Sequence, residues 1–170
     1  MAACHDLLGH VVEALGNYGM AKQHFQFALQ IYENENDPYN ASDEYHGLGK
    51  VARVYGNFDD SIAYLSKALE IRRNAREWYK VAATLVEVGR TFEIKGSPVE
   101  ALKAFIQALM IDISNNHGEE LVNENFQNLG RMLKPIGESR FRMLWREVVG
   151  EECPEEIYSA IQAASENQEE

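Results

Sequence analysis

Cysteine is scarce in this 170-residue chain, and long hydrophobic runs are absent. The two cysteines, Cys4 and Cys153, lie at opposite ends, so the sequence predicts no disulfide staple and favours a reducing compartment. No apolar run approaches the roughly 20 residues that a membrane span requires. The N-terminus also lacks the basic start and apolar stretch of a secretory signal. We therefore expect a cytoplasmic protein that does not enter a membrane.

Positive charge is also in short supply. The chain has 16 lysines and arginines against 27 aspartates and glutamates, which gives a net charge of −11. Binding to nucleic-acid phosphates needs a surplus of basic residues, so this balance argues against a nucleic-acid partner. Residues 151–170 contain seven glutamates and no lysine or arginine. Much of the acidity therefore belongs to the C-terminal tail.

Motifs for catalysis or metal binding are missing as well. The sequence has no phosphate-binding glycine loop, no HExxH and no CxxC. Its five histidines are spread along the chain: His5, His10, His24, His46 and His117. His10 and His46 could approach each other, with Asp6 or Asp43 as further ligands, but a closed metal site normally needs four. We interpret the histidines as surface residues and expect no enzyme activity, metal or cofactor.

A short phrase recurs along the chain at a fixed interval. The stretch KALEI at Lys67–Ile71 has near copies forty residues away on both sides, FALQI at Phe27–Ile31 and QALMI at Gln107–Ile111. Two series of glycines keep the same step: Gly9, Gly49 and Gly89, and Gly16, Gly56 and Gly96. A fixed period of this size is typical of a repeat array.

Each period has the pattern of two helices. In residues 42–55 the apolar positions recur at three- and four-residue steps, which predicts one helical stripe. Gly56 should then end this helix, and Asn57 should cap the next one. Small residues are needed where paired helices cross, so we expect Gly49 and Ala68 to be the contact points. Three leucines should fill the space around them: Leu48, Leu65 and Leu69. Since no β-type alternation persists, the sequence predicts an all-α protein.

These residues resemble the tetratricopeptide repeat family, in a variant with a 40-residue period that is seen in kinesin light chains and peptide-sensing bacterial regulators. The first-helix motif is represented by Leu8-Gly9, Leu48-Gly49, Val88-Gly89 and Leu129-Gly130. The second-helix motif is represented by Ala21, Phe25 and Ala28, by Ser61, Leu65 and Ala68, and by Ala101, Phe105 and Ala108. The resemblance implies a right-handed superhelical solenoid of antiparallel helix pairs, with about three to four repeats plus C-terminal capping helices.

The predicted units are repeats at 1–37, 38–76 and 77–116, a degenerate fourth repeat with a capping helix at 117–150, and a short helix with an acidic tail at 151–170. Pro135 should end the first helix of the fourth unit early. The following apolar residues predict a wide face that closes the array: Phe141, Leu144, Trp145, Val148 and Val149. A ligand-stacking role for Trp145 is the alternative. Ser165–Glu170 is expected to be disordered.

The two ends suggest further hypotheses. The start, AACHDLLGHV, has mid-repeat character with apolar residues where a preceding unit would lie, which predicts a fragment or self-association through this face. The stretch FRMLWREVVGEECPEEI is similar to the end of repeat arrays that follow nucleotide-binding switch domains (the STAND class) or protease domains in prokaryotic proteins. This similarity gives an alternative function, a sensor or regulatory arm of a larger ATPase or protease.

The family resemblance implies a concave groove lined by the first helices of the pairs. The positions that would face it are His10, Glu13, Lys50, Arg53, Arg90, Glu93, Arg131 and Lys134. This predicts a non-catalytic module that binds a protein or peptide partner, acidic or phosphorylated, which arginines such as Arg90 and Arg131 would grip bidentately.

We call these eight groove-facing positions the column, and two alternatives remain open for it. Its basic residues could pair with acids of adjacent helices, namely Asp43, Glu93 and Glu124. Exposed pairs of this kind stabilise little and imply no ligand. The glutamate-rich tail could also fold back and occupy the column.

Overall fold

The computed structural model describes residues 1–166, and within that range the chain forms nine α-helices and no strand. They are α1 Ala2–Ala14, α2 Tyr18–Asn34, α3 Pro38–Val54, α4 Phe58–Asn74, α5 Trp78–Lys95, α6 Pro98–Asn115, α7 Glu119–Ile136, α8 Glu138–Val149 and α9 Glu155–Glu166. The all-α helical repeat prediction is confirmed. None of these helices is long and apolar enough to cross a membrane.

The helices form two compact units. The first, Met1–Glu77, contains α1 to α4, and each helix packs against the next. The second begins at Trp78. In it α5 packs against α6, α6 against α7 and α8, and α7 against α9.

Glycine and asparagine set the helix ends. Gly16, Gly56 and Gly96 have φ of +77°, +76° and +81° and lie in the turns between the helices of a pair. An L side chain rarely adopts this conformation, which explains the fixed glycine spacing. Asn17 caps α2 by accepting a hydrogen bond from the Met20 amide at 3.1 Å. Asn57 takes the N-cap position of α4 as expected, but its side chain makes no capping hydrogen bond to the described residues.

The glycines inside the first helices make room for large residues of the second helices. A Cβ at Gly89 would fall 2.4 Å from Phe105 Cε1, and a Cβ at Gly49 would fall 2.7 Å from Leu65 Cγ. The direct neighbour of Gly49 is therefore Leu65, one of the leucines expected around the crossing, and not Ala68 as predicted. Ala68 is fully buried in a different cluster, together with residues of α2 and α3. The crossing is still governed by a missing side chain, but the partner is a leucine.

Pro135 does not shorten α7, so that prediction is wrong. The helix is 18 residues long, like α5 and α6, and it ends at Gly137 with φ +79°. A proline costs most in a helix interior, where it clashes with the preceding turn. Pro135 lies in the last turn, where the chain is about to leave the helix.

The α8 and α9 helices close the second unit. Trp145 is fully buried, so it contributes to packing and is not available to stack on a ligand. A Cβ on Gly130 of α7 would fall 2.8 Å from the Ser165 backbone nitrogen, which shows how closely α9 approaches. The predicted disorder is wrong for Ser165 and Glu166, which end α9. The remainder of that prediction, 167–170, lies outside the described residues.

Candidate functional site

In the first unit, the predicted column residues join α1 to α3. Lys50 of α3 places Nζ 2.6 Å from Oε1 of Glu13 on α1. His10 lies beside the same carboxylate, with Nδ1 3.7 Å from Glu13 Oε2 and Nε2 3.3 Å from Asp6 Oδ1. The Glu13 side chain is only 11% exposed. The column in this unit is therefore a cluster of alternating charges.

The pKa shifts in this cluster reflect the pairing. The hydrogen bond with Glu13 raises the pKa of His10 against the opposing effect of burial, and the charge of Asp6 adds to the rise. Burial acts to raise the pKa of Glu13, but the hydrogen bonds with His10 and Lys50 outweigh it, so this pKa lies below its ordinary value. The cluster thus favours a charged Glu13 and draws positive charge to His10.

In the second unit, Arg90 of α5 binds two carboxylates. Its Nη1 donates to Glu87 Oε1 at 2.7 Å, and its Nη2 donates to Glu124 Oε1 of α7, also at 2.7 Å. The two acids differ in exposure, since Glu87 is 8% exposed and Glu124 is 43% exposed. Arg90 is therefore fixed by a buried carboxylate and shared with an exposed one.

Arg131 of α7 makes the bidentate grip that the sequence predicts, but on a carboxylate of its own unit. Nε and Nη2 lie 3.1 Å from the two carboxylate oxygens of Glu93 on α5. Nη2 also donates to Asn128 Oδ1 at 2.8 Å. Both charged side chains keep part of their exposure, 36% for Arg131 and 26% for Glu93.

The structure thus brings acids beside the basic positions of the column. Glu93 and Glu124 are partners that the pairing alternative predicts, whereas Lys50 binds Glu13 and not Asp43. The two remaining basic residues of the prediction lie on the same helices: Arg53 is half-buried on α3 and Lys134 is exposed in the last turn of α7.

Sequence reasoning missed Glu87 as a member of the site. It lies three residues before Arg90 on the same helix, and residues at this spacing share a helical face. A search for acids at this spacing from each basic position would have found it. The role of Asn128 beside Arg131 has the same spacing and the same explanation.

The contacts of the histidines differ from those of the His10–His46 metal site considered from the sequence. His46 lies with Nδ1 3.1 Å from Arg72 Nη1, while His10 lies beside Asp6 and Glu13. His5 pairs instead with His24, at 2.9 Å between their Nδ1 atoms. Throughout residues 1–166, no group of three or more histidine, cysteine, aspartate or glutamate side chains could hold a metal ion.

Two glutamates of the described part of the tail, Glu152 and Glu155, bind α8. Glu155 Oε1 lies 2.9 Å from Arg142 Nη1, and Glu152 Oε1 lies 3.0 Å from Arg146 Nη1. These glutamates are thus engaged away from the predicted column.

The N-terminal helix has the exposed apolar face that the sequence predicts. The residues concerned are Leu7, Leu8, Val11 and Leu15. Leu7 and Leu15 are 67% and 78% exposed, so this face of α1 is available for contact with another surface.

Comparison with known proteins shows what the chain is similar to. The family model of the tetratricopeptide repeat matches residues 43–114. No curated protein matches the chain. Among solved structures, BtubC (BKLC) from P. vanneervenii is similar, with a TM-score of 0.72 and 19% identity, over 96% of this chain and 63% of that one. The chain thus spans less than two thirds of the length of BtubC.

A putative kinesin light chain from Podosopora anserina with nearly identical TPR-like repeats is also similar. Its TM-score is 0.66 at 14% identity, over 98% of this chain and 76% of that one. A point variant of the same protein gives 0.68 at 14% identity, over 99% and 77%. At these identities the likeness shows the fold alone.

Proposed function

We propose that the chain binds a peptide or protein partner on the first helices of its pairs, because residues 43–114 match the tetratricopeptide repeat family, whose members are generally protein-interaction modules and typically non-catalytic. In the first unit the proposed binding residues form the Glu13–Lys50 cluster. In the second unit they form the Arg90 and Arg131 clusters. No catalytic step is part of this proposal.

The observation that carries the proposal is the shared guanidinium of Arg90. Its contact with Glu87 is nearly buried and holds the arginine in place, whereas Glu124 is 43% exposed. An exposed ion pair contributes only about 0–1 kcal/mol. A carboxylate or phosphate of a partner can therefore replace Glu124 at little cost and find Arg90 already oriented.

The same reasoning applies to Arg131, whose bidentate bond to Glu93 is partly exposed. A partner with two acidic groups could engage both arginines of the second unit. This supports an acidic or phosphorylated peptide as the ligand class, as the sequence predicts.

A peptide array with acidic, phosphoserine and neutral sequences tests this proposal. The column variant combines Lys50→Gln, Arg90→Gln and Arg131→Gln. Its matched control removes three positive charges at exposed positions outside the column: Lys22→Gln, Arg73→Gln and Arg140→Gln.

We expect acidic peptides to bind the native chain and the control, and to be lost from the folded column variant. Equal binding by both variants would move the ligand surface elsewhere. Circular dichroism of all three proteins checks that the helices remain intact.

The exposed apolar face of α1 favours a second candidate function, contact with another folded surface as part of a regulatory arm or a self-associated protein. Light scattering of the native chain beside a Leu7→Gln, Leu15→Gln variant separates these roles. A dimer that the variant loses would support self-association. A monomer in both cases would favour the arm.

A further inference from the structure

A cavity of about 410 Å³ lies in the first unit at the turn between α2 and α3. It is separate from the residues of the first-helix column. Its apolar wall consists of Tyr32, Pro38, Ala41, Tyr45 and Ile71. A space of this volume can take one aliphatic side chain with the adjoining backbone of a partner.

The cavity is held in shape by packing and hydrogen bonds. Tyr32, Ala41 and Tyr45 are 7%, 3% and 8% exposed, so the wall belongs to the core of the unit. The Tyr45 hydroxyl donates to Glu33 Oε1. Burial, and then this hydrogen bond, raise the pKa of Tyr45 to about 12, so the hydroxyl remains a donor and keeps Glu33 in place. The site would therefore need little rearrangement to bind a ligand.

The mouth of the cavity is acidic. Residues 33–37 read ENEND and supply Glu33, Glu35 and Asp37. Asp37 is occupied as the N-cap of α3, where it accepts from the Asn40 amide at 3.1 Å. Glu35 is exposed at the turn. One base also lies nearby: the Lys67 ammonium is 4.9 Å from the Tyr45 ring centroid, so this ring face already has a cation of the same unit.

The second unit contains a comparable cavity, which shows which features belong to the repeated turn. It has about 370 Å³ and lies at the turn between α6 and α7, with Phe126 and Val122 in its wall. Asn36 and Asn116 take the same left-handed conformation in the two turns, with φ of +55° and +52°. The shape of the cavity is therefore a property of the repeated turn.

The acids of the two cavities lie at different positions. The corresponding turn residues 113–117 read ISNNH and contain no acid. The acids that line the second cavity are instead Asp112, which is buried and bound to His117 and Asn125, and Glu119 at the start of α7.

Because the second turn forms the same conformation without an acid among its own residues, Glu33 and Glu35 are not needed to build the turn. Glu33, which lines the first cavity, and Glu35, two residues further along the turn, are therefore candidate determinants of binding.

We propose that the cavity between α2 and α3 binds a basic segment of a partner protein, with an aliphatic side chain inside and an adjoining arginine or lysine against Glu33 and Glu35. The apolar wall provides burial for the aliphatic group. The carboxylates provide charge-assisted hydrogen bonds to the base. This site goes beyond the first-helix surface and has the opposite charge preference.

Amide NMR shifts of the full ¹⁵N-labelled chain test the site with a defined probe. The probe is a capped pentapeptide of glycine, arginine, leucine, arginine and glycine. We expect shifts centred on the turn 33–37 and on Ala41 and Ile71. Two control peptides replace both arginines by glutamate or the leucine by glycine, and each should bind at least about fivefold more weakly.

A pair of matched variants tests the charge at the mouth. Glu33→Gln with Glu35→Lys should weaken binding by about five- to tenfold. Glu151→Lys with Glu156→Gln makes the same charge change at exposed positions of the second unit and should change it less than about twofold.

The proposal is overturned if the two variants bind equally, or if the shifts centre on the column residues of α1 and α3. The second outcome would assign the peptide to the first-helix surface. The proposed function itself is tested by acidic peptides and the column variant, so the two ideas fail separately.

Discussion

The two units treat a buried carboxyl group in opposite ways. In the first unit, Glu44 of α3 is completely buried, and the group beside its carboxyl is another carboxyl, that of Asp6. In the second unit, Asp112 of α6 is 2% exposed, yet Oδ1 lies 2.7 Å from His117 Nδ1 and Oδ2 accepts from Asn125 Nδ2 at 2.7 Å. Glu44 thus meets a second acid, whereas Asp112 is bonded to a histidine and an amide.

The difference shows how chemistry varies on a repeated frame. Glu44 and Thr84 are forty residues apart, at the same place in their helix pairs. Thr84 is also buried, but its hydroxyl donates to the Lys80 carbonyl at 2.7 Å and needs no partner from another helix. A carboxyl at this place has no such local solution. The repeat period fixes the position of a side chain in its helix pair. The chemical identity of the side chain decides whether its polar atoms find hydrogen-bond partners at that position.

The largest expected effect concerns the pH dependence of the first unit. Burial, followed by the neighbouring carboxyl of Asp6 and the charge of Asp43, raises the pKa of Glu44 from 4.5 to about 8. The folded state therefore holds a proton that the unfolded state has released between these values. Stability is lost as pH rises through this window. Two further groups lie near these acids. Tyr32 of α2 interacts with the charges of Asp6 and Glu44. Arg72 of α4 is bound to Asp43.

Glu44→Gln removes this titration. We expect the native chain to lose roughly 3–5 kcal/mol relative to the variant between about pH 5 and pH 9. Urea unfolding of both proteins across this range measures the difference. Parallel pH profiles would show that Glu44 is ionised in the folded state.

The next effect concerns the buried cation of the first unit. Arg72 is 5% exposed and donates to Asp43 Oδ1 at 2.6 Å and to Ser42 Oγ at 3.4 Å. Arg72→Met should cost about 3 kcal/mol, at the low end for a broken buried pair because Asp43 is 26% exposed. Adding Asp43→Asn should restore part of the loss. A cost below about 1 kcal/mol in urea unfolding would contradict a net role for the pair.

A smaller effect on stability should show which face of α4 is packed in the core. Ala68 is fully buried, and Ala68→Leu should overpack its cluster and destabilise the protein by about 1–3 kcal/mol. Ala63→Leu on the same helix is the control, because Ala63 is exposed and should change the free energy of unfolding by less than about 0.5 kcal/mol. Equal effects in thermal unfolding would mean that the two faces of α4 are wrongly assigned.

The smallest effect concerns the exposed pairs of the second unit. Arg131→Gln should destabilise the chain by less than about 1 kcal/mol, because Arg131 and Glu93 both retain solvent exposure. A double-mutant cycle with Glu93→Gln measures their coupling. A coupling well above this limit would mean that the pair holds α5 and α7 together and is not free to exchange with a ligand.

Local rules account for what the sequence predicts well. The glycine turns, the helix pairs and the buried Trp145 depend on spacing within one or two helices, and spacing is visible in the sequence. The expected contact of Gly49 with Ala68 failed because it depends on how two helices rotate against each other. The space at Gly49 is filled by Leu65, which lies on α4 about one turn before Ala68.

The electrostatic partners were harder to predict. Glu124 reaches Arg90 from a position 34 residues further along the chain, and the choice between Glu124 and other acids depends on the placement of α7 beside α5. Glu44 was missed for a related reason. Its burial depends on how α1 and α2 pack around α3, whereas a glutamate in a sequence is ordinarily read as a surface residue.

The close approach of α9 to Gly130 has a consequence for polymer growth. The α9 backbone occupies the α7 surface at Gly130, and no space remains for even one methyl group there. A contact between the α1 face of one molecule and the Gly130 surface of another would have to displace α9. A contact between two α1 faces joins like surfaces, which produces closed pairs and not open filaments.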